Sequence, residues 1–179
     1  MKLVFWQSQF QLSASEPGLW QLEALRLRRA ADHLFEVYCS DLRQLSSGQV
    51  TPVDLHNLEL ASAASLLYGL SLENLLKGII VKSGAPVIAK WRIQFGRGSG
   101  HNLVHLASKA SITLNSDEQD LLNRLTRYVE WAGRYPVAKS PEQMALCQKN
   151  VSPEWFPLPL QPYEAPLYAA VFSRVEALL

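Results

Sequence analysis

One stretch, Leu60–Val81 (LASAASLLYGLSLENLLKGIIV), leaves the chain little choice of fold. Apolar and small residues fill it on every side, the pattern of a helix buried all round. Only Glu73 and Lys77 among its residues carry formal charge. They stand one turn apart on one face. At about 100° per residue, Leu55, Glu59, Leu66, Leu70, Glu73 and Lys77 share a narrow stripe. The spacing predicts a long central helix over Pro52–Gly84 with one charged step in its buried middle. Burying two charges costs several kcal/mol per ion unless each satisfies the other. Two readings stay open: a satisfied structural ion pair, or the floor of a pocket or polar dimer contact. The charges, Asn74 and the serines Ser62, Ser65 and Ser71 argue against a membrane span.

The chain of 179 residues is long enough for one domain with its own core. A hydrophobic content of 48% with 18% charged residues fits a folded globular protein. The net charge of +1 offers no bulk field for nucleic acid or an anionic membrane, so any such contact needs a local patch. Cys39 and Cys147 have no metal-ligand or redox spacing and read as reduced thiols. The first residues lack a clean apolar signal core, so a cytoplasmic location is expected.

Taken in order, Lys2–Leu12 alternates loosely and is expected as a strand or extended arm. Ser15, Glu16 and Pro17 open an amphipathic helix over about 19–45, with Leu22, Leu25, Ala30, Leu34, Val37, Tyr38, Leu42 and Leu45 inward. Thr51, Pro52 and Asp54 cap the central helix, and Gly84–Pro86 ends it. Between Ala85 and Ser99, VIAKWRIQF can form a short strand-like piece. A third helix spans Asn102–Ile112, with Leu103, Leu106, Ala107 and Ala110 inward and His101 capping or anchoring the loop before it. Asn115–Glu118 opens a fourth, carrying Leu121, Leu122, Leu125, Tyr128, Val129 and Ala132. After it, Val137–Gln161 is mostly connection, with a turn of helix at Pro141–Gln148. Prolines 153, 157, 159, 162 and 166 stiffen a strap that buries Trp155, Phe156 and Tyr163. A last helix covers Ala165–Leu179. The fold expected is all-α: an antiparallel up-and-down bundle of four to five helices in a single domain, 1–179. Its core is 19–136, and 137–179 supplies the strap and closing helix.

Few constellations point to chemistry. His101 and His105 stand four apart, a spacing that zinc sites use, but no third ligand follows. The Gly96–Gly100 loop can hold an anion with Arg97 and His101, yet lacks the P-loop Lys. Arg124, Arg127, Glu130, Trp131 and Arg134 cluster on the fourth helix, suited to base stacking or to an ordinary ion-pair surface. No cofactor or metal is expected.

Three pieces resemble motifs of one family. SLENLLKGIIV (Ser71–Val81) is similar to the second-helix signature of the HEPN family (higher eukaryotes and prokaryotes nucleotide-binding domains). GHNLVHL (Gly100–Leu106) resembles that family's Gly/Thr-His-Asp/Asn-Leu start of a third helix. YVEWAGRYP (Tyr128–Pro136) resembles its aromatic helix ending in Arg-Tyr-Pro. Order and spacing agree over about Thr51–Pro136. The resemblance implies a homodimer that associates with a nucleotide or RNA, in a toxin–antitoxin or phage-defence setting, beside a nucleotidyltransferase-like partner protein. Many members are ribonucleases with Arg, four to six residues, then His near the last core helix. No histidine follows His105 here. Arg28 and His33 have the spacing but lie on the first helix, about 140° apart.

The expectation is therefore a non-catalytic binding module. Glu73 and Lys77 form its floor; His101, Arg127, Trp131, Arg134 and Tyr135 line the rim. The alternative is a metal-independent ribonuclease with His101 or His33 as general base.

Overall fold

A computed structural model describes residues 2–48, 59–85, 87–95, 100–135, 137–138, 140–142 and 157–179. The first element is a helix, α1 (Lys2–Ala14), where a strand or arm is expected. The consecutive run Leu3-Val4-Phe5-Trp6 breaks any alternation, and no Gly or Pro interrupts the turns that follow. Ser8 Oγ donates to the Val4 carbonyl one turn back (3.1 Å).

α2 runs Pro17–Ser46, with Pro17 in its first turn and the Glu16 carboxylate accepting from Gly18 N. Its inward face agrees with the expected one only in part. Tyr38 is buried as expected and Leu25, Leu34 and Leu42 flank the core, but Ala24, Ala31 and Phe35 are buried instead of Leu22 and Ala30, which are exposed. Small residues at the line of contact let the backbone approach its neighbour, and the larger leucines wrap the sides.

That neighbour is α3 (Leu60–Lys82), the expected central helix; the proposed cap at Thr51–Asp54 lies outside the described residues. By length and composition α3 could cross a membrane, but 72% of its most apolar window is buried inside the protein, as in a core helix. Helices enclose it on several sides. Along α2 the pairing is antiparallel: Trp20 lies by Gly78, and Asp32 and Phe35 by Tyr68.

A short hairpin follows, with β1 (Ile88–Ala89) antiparallel to β2 (Arg92–Ile93) and Ile88 opposite Ile93. Its two turn residues, Lys90 and Trp91, both take positive φ, the twist that a two-residue hairpin requires. α4 (Leu103–Lys109) is capped by Asn102 rather than His101; the Asn102 side chain accepts from His105 N at 2.8 Å. α5 (Ser116–Arg127) opens on the expected capping box of Asn115 and Glu118. It continues into one π-helical turn, Tyr128–Ala132. The expected inner residues Leu121, Leu122, Leu125, Tyr128, Val129 and Ala132 are all buried.

Beyond the undescribed 143–156, Leu160 is buried and its N–H donates to Ser65 Oγ of α3 (2.8 Å). The strap thus reaches the core here, but Tyr163, expected to be buried, is 79% exposed. Trp155 and Phe156 lie outside the described residues. A 3₁₀ turn (Pro162–Glu164) leads into α6 (Ala165–Glu176).

Cross-contacts give the directions. Leu66 lies by Gly133 and Gly69 by Leu125, so α5 opposes α3. Glu118 pairs with Arg174 and Arg124 with Glu164, so α6 opposes α5. α2, α3, α5 and α6 therefore alternate in sense around one continuous core, and the protein is all-α apart from the hairpin.

Several polar groups are paired across these helices, while Arg124 Nε on α5 is buried without a hydrogen-bond partner among the described residues. Ser71 Oγ and Tyr168 Oη share a hydrogen bond (2.6 Å), and Tyr68 Oη donates to Asp32 (2.8 Å). Asp32 also faces Arg28 at 3.7 Å, and Arg28 stacks over the Phe172 ring at 4.3 Å. Burial foremost, then Asp32, pushes the Tyr68 hydroxyl's pKa far up, so it remains a donor.

Two stability tests follow from this packing. A Cβ on Gly69 would sit 2.6 Å from Val129 Cγ2 and 3.1 Å from the Leu125 carbonyl oxygen. Overpacking against backbone costs about 1–3 kcal/mol, more than the roughly 1 kcal/mol that alanine gains in helix propensity. Gly69→Ala should therefore lower the urea midpoint, and adding Val129→Ala should recover only part of the loss. Glu118 supplies the second test. Burial raises its pKa, but hydrogen bonds from Arg174 and from Asn115 N outweigh that and hold it below its ordinary value of 4.5. Its contribution is thus present above that value and lost as pH falls through the depressed folded-state value. The stability gap between wild type and Glu118→Gln should be widest near neutral pH and close in acid, read by urea unfolding at each pH.

Candidate functional site

The charged step of α3 is buried. Glu73 and Lys77 side chains are 6% and 12% exposed, and Lys77 Nζ donates to Glu73 Oε1 at 2.5 Å. The second carboxylate oxygen is also occupied: His101 Nδ1 lies 3.0 Å from Glu73 Oε2. One carboxylate therefore bridges an ammonium and an imidazole. His101 is the open member, with its side chain 35% exposed.

Local structure sets each partner. Four-residue spacing on α3 puts Lys77 directly beneath Glu73. His101 is delivered by the start of α4, which is itself pinned from two sides. Asn102 caps it, and Leu103 N donates to Thr126 Oγ1 of α5 (3.0 Å). Thr126 in turn donates to the Leu122 carbonyl at 2.8 Å. The hairpin brings Phe95, whose ring lies 5.1 Å from Lys77 Nζ and 5.3 Å from the Trp20 ring. Phe95 is buried, so the ammonium meets a carboxylate on one side and an aromatic wall on the other.

Phe95, Trp20 and Thr126 have no place among the site residues expected from sequence. Asn102 was legible as a cap, since it directly precedes an apolar helix. The aromatic wall was not, because it joins three elements distant in sequence.

Among the other expected rim residues, Trp131 and Arg134 are engaged at the end of α5. Gly133 packs on Leu66, seven residues before Glu73 and so about 10 Å away along α3. Arg134, next in sequence, folds back to donate to the Val129 carbonyl and to that of Glu130 (3.0 Å), closing the π turn. Its guanidinium stacks near the Tyr135 ring, centroid 5.7 Å away. Arg127 is half-buried. Trp131 is buried, 1% exposed, and packs with Tyr128 and Ala132. The structure thus joins Glu73, Lys77 and His101 and stacks Arg134 on Tyr135.

Other candidates resolve plainly. His105 is exposed, and among the described residues no three His, Cys, Asp or Glu side chains gather as metal ligands would. Residues 96–99, His56 and Cys147 lie outside the described residues. A shallow concavity of about 450 Å³ is lined by Cys39, Leu42, Arg43 and Pro162. Burial pushes the Cys39 thiol up despite Arg43, the wrong direction for a nucleophile. Arg28 serves Asp32 and Phe172, while His33 is exposed.

Comparison of the chain with protein-family models, with curated proteins and with solved structures returned no match.

The geometry predicts energetic coupling. Removing one member of a buried ion pair costs about 3–5 kcal/mol, whereas replacing both by apolar residues can be nearly neutral. His101 softens the first loss by remaining on Glu73. Lys77→Met should still be less stable than Glu73→Leu/Lys77→Met, with a coupling above about 0.5 kcal/mol in a urea cycle of wild type, both single variants and the double. Simple additivity would mean that the two side chains do not depend on each other.

Proposed function

We propose that this chain is a HEPN-like helical binding module that holds a nucleotide or RNA through its phosphates and does not cleave it. The observation that supports this reading is the Glu73–Lys77–His101 arrangement. A buried carboxylate fixes one imidazole nitrogen and leaves the exposed side of His101 to meet a ligand. The sequence resemblance supplies the family and the ligand class. It also supplies the setting: a toxin–antitoxin or defence pair with a nucleotidyltransferase-like partner, open to test by co-purification with the neighbouring gene's product.

A second reading rests on the same hydrogen bond. Holding Nδ1 against a carboxylate fixes a tautomer and orients Nε2, as in a general base. That is the ribonuclease alternative, with His101 rather than His33 as the base, since His33 is exposed on α2.

One experiment separates them. Nucleoside triphosphates and single-stranded and hairpin RNA are titrated by thermal shift and fluorescence anisotropy. A ligand at 100 times its Kd should stabilise the fold by about 2.7 kcal/mol. Affinity should fall with rising salt, and His101→Ala should weaken it about tenfold while leaving RNA intact. RNA cleavage that disappears in His101→Ala, with folding retained, establishes the ribonuclease reading instead. Absence of binding to every probe overturns both.

A further inference from the structure

α1 presents an apolar surface that no other described residue covers. Leu3, Val4, Phe5, Trp6 and Leu12 expose 57–71% of their surfaces, and among its described side chains only Ala14 is buried. These residues are distributed all round the helix, so turning it cannot offer water a polar face. Trp20 Nε1 donates to the Ala14 carbonyl (3.2 Å), tying the end of α1 to the beginning of α2. There Leu19 and Leu22, 46% and 51% exposed, continue the patch.

Three kinds of cover are conceivable, and the residues discriminate among them. Gln7, Ser8, Gln9 and Gln11 interrupt the continuous apolar run that a bilayer span needs. An interfacial membrane helix carries a charged polar face opposite its apolar one, whereas α1 has, after Lys2, only the uncharged Gln7, Ser8, Gln9, Gln11 and Ser13 scattered between apolar positions. From Leu3 to Ala14 there is no charge at all. A different protein partner would find no charge to complement, whereas a second copy would meet no like-charge repulsion. The exposed side chains of α1 with Leu19 and Leu22 offer on the order of 800 Å², one partner's share of a standard interface.

We propose that α1 and the adjoining start of α2 form a two-fold interface with a second copy of this chain. Each α1 lies against the other, and Leu19 and Leu22 of the opposite copy cover its second side. The contact is isologous, so it closes at two copies. Trp6, beside Phe5 in an edge-to-face pair (5.3 Å), is its anchor.

This inference stands apart from ligand binding at Glu73, and its test uses no ligand. Light scattering and sedimentation equilibrium on the full chain should give twice the chain mass of 20.1 kDa. Phe5→Glu/Trp6→Glu should weaken the dimer about 100-fold, the two rings each contributing about tenfold or more. Circular dichroism and the urea transition of the separated chain should persist, because both rings lie outside the core. Leu12→Lys reads the same interface should the double variant lose helix, and Tyr163→Glu, at an exposed ring elsewhere, should leave the dimer intact. A wild-type chain that stays at single mass, or a dimer indifferent to all the α1 variants, overturns the proposal. So does a single-mass chain that binds phosphatidylcholine–phosphatidylserine vesicles through Trp6.

Discussion

The rest of the fold depends on enclosing α3. A helix of this composition has no side for water, so other elements must cover it. α2, α5 and α6 do so in alternating directions, and the hairpin and α4 fill in near its second half. Close approach requires small residues at the crossings: Ala24 and Ala31 on α2, Gly69 on α3 facing Leu125 and Val129. The apolar bulk then comes from the flanks, from Leu72, Leu75, Leu76 and Ile80 against Leu121, Leu122 and Phe172. Interiors packed at this density transmit local changes readily.

Enclosure makes every polar group on α3 a problem to be solved by a neighbour. Ser65 receives the Leu160 amide, Ser71 meets Tyr168, Tyr68 reaches Asp32, and Glu73 takes both Lys77 and His101. These bonds specify which neighbour lies where along the helix. An apolar contact tolerates a shift along the axis far better than a buried hydrogen bond, whose loss leaves an unpaired group. The same requirement that orders the bundle therefore orients His101, and structure and candidate chemistry share one carboxylate.

The end of α5 illustrates how such demands alter a local conformation. Its π turn carries Tyr128 and Trp131 into the interior together, with the Tyr128 hydroxyl donating to the Pro157 carbonyl. Gly133 N then bonds five residues back to Tyr128 O, and Arg134 takes the Val129 and Glu130 carbonyls. Arg134, which by sequence belongs to a ligand-facing cluster, is occupied in closing a helix. A charged and aromatic run on an amphipathic pattern cannot reveal that one of its turns is widened, because the widening rotates each later side chain out of the assumed wheel.

Much was legible from residue order alone. The apolar run of α3, the capping box at Asn115–Glu118 and the helix start at Ser15–Pro17 are local, and local physics places those helices and the charged step of Glu73 and Lys77. The face of α2 that turns inward was not local: leucines at helical spacing compete with alanines one position away, and the partner's shape chooses the smaller residues. α1 was not legible either, because its apolar and polar residues are scattered round the helix and leave no period to read. The bond from His101 to Glu73, and Phe95 with Trp20 as the wall of the site, came only with tertiary packing. They meet across separations of tens of residues, and no spacing rule on one strand or helix carries that information.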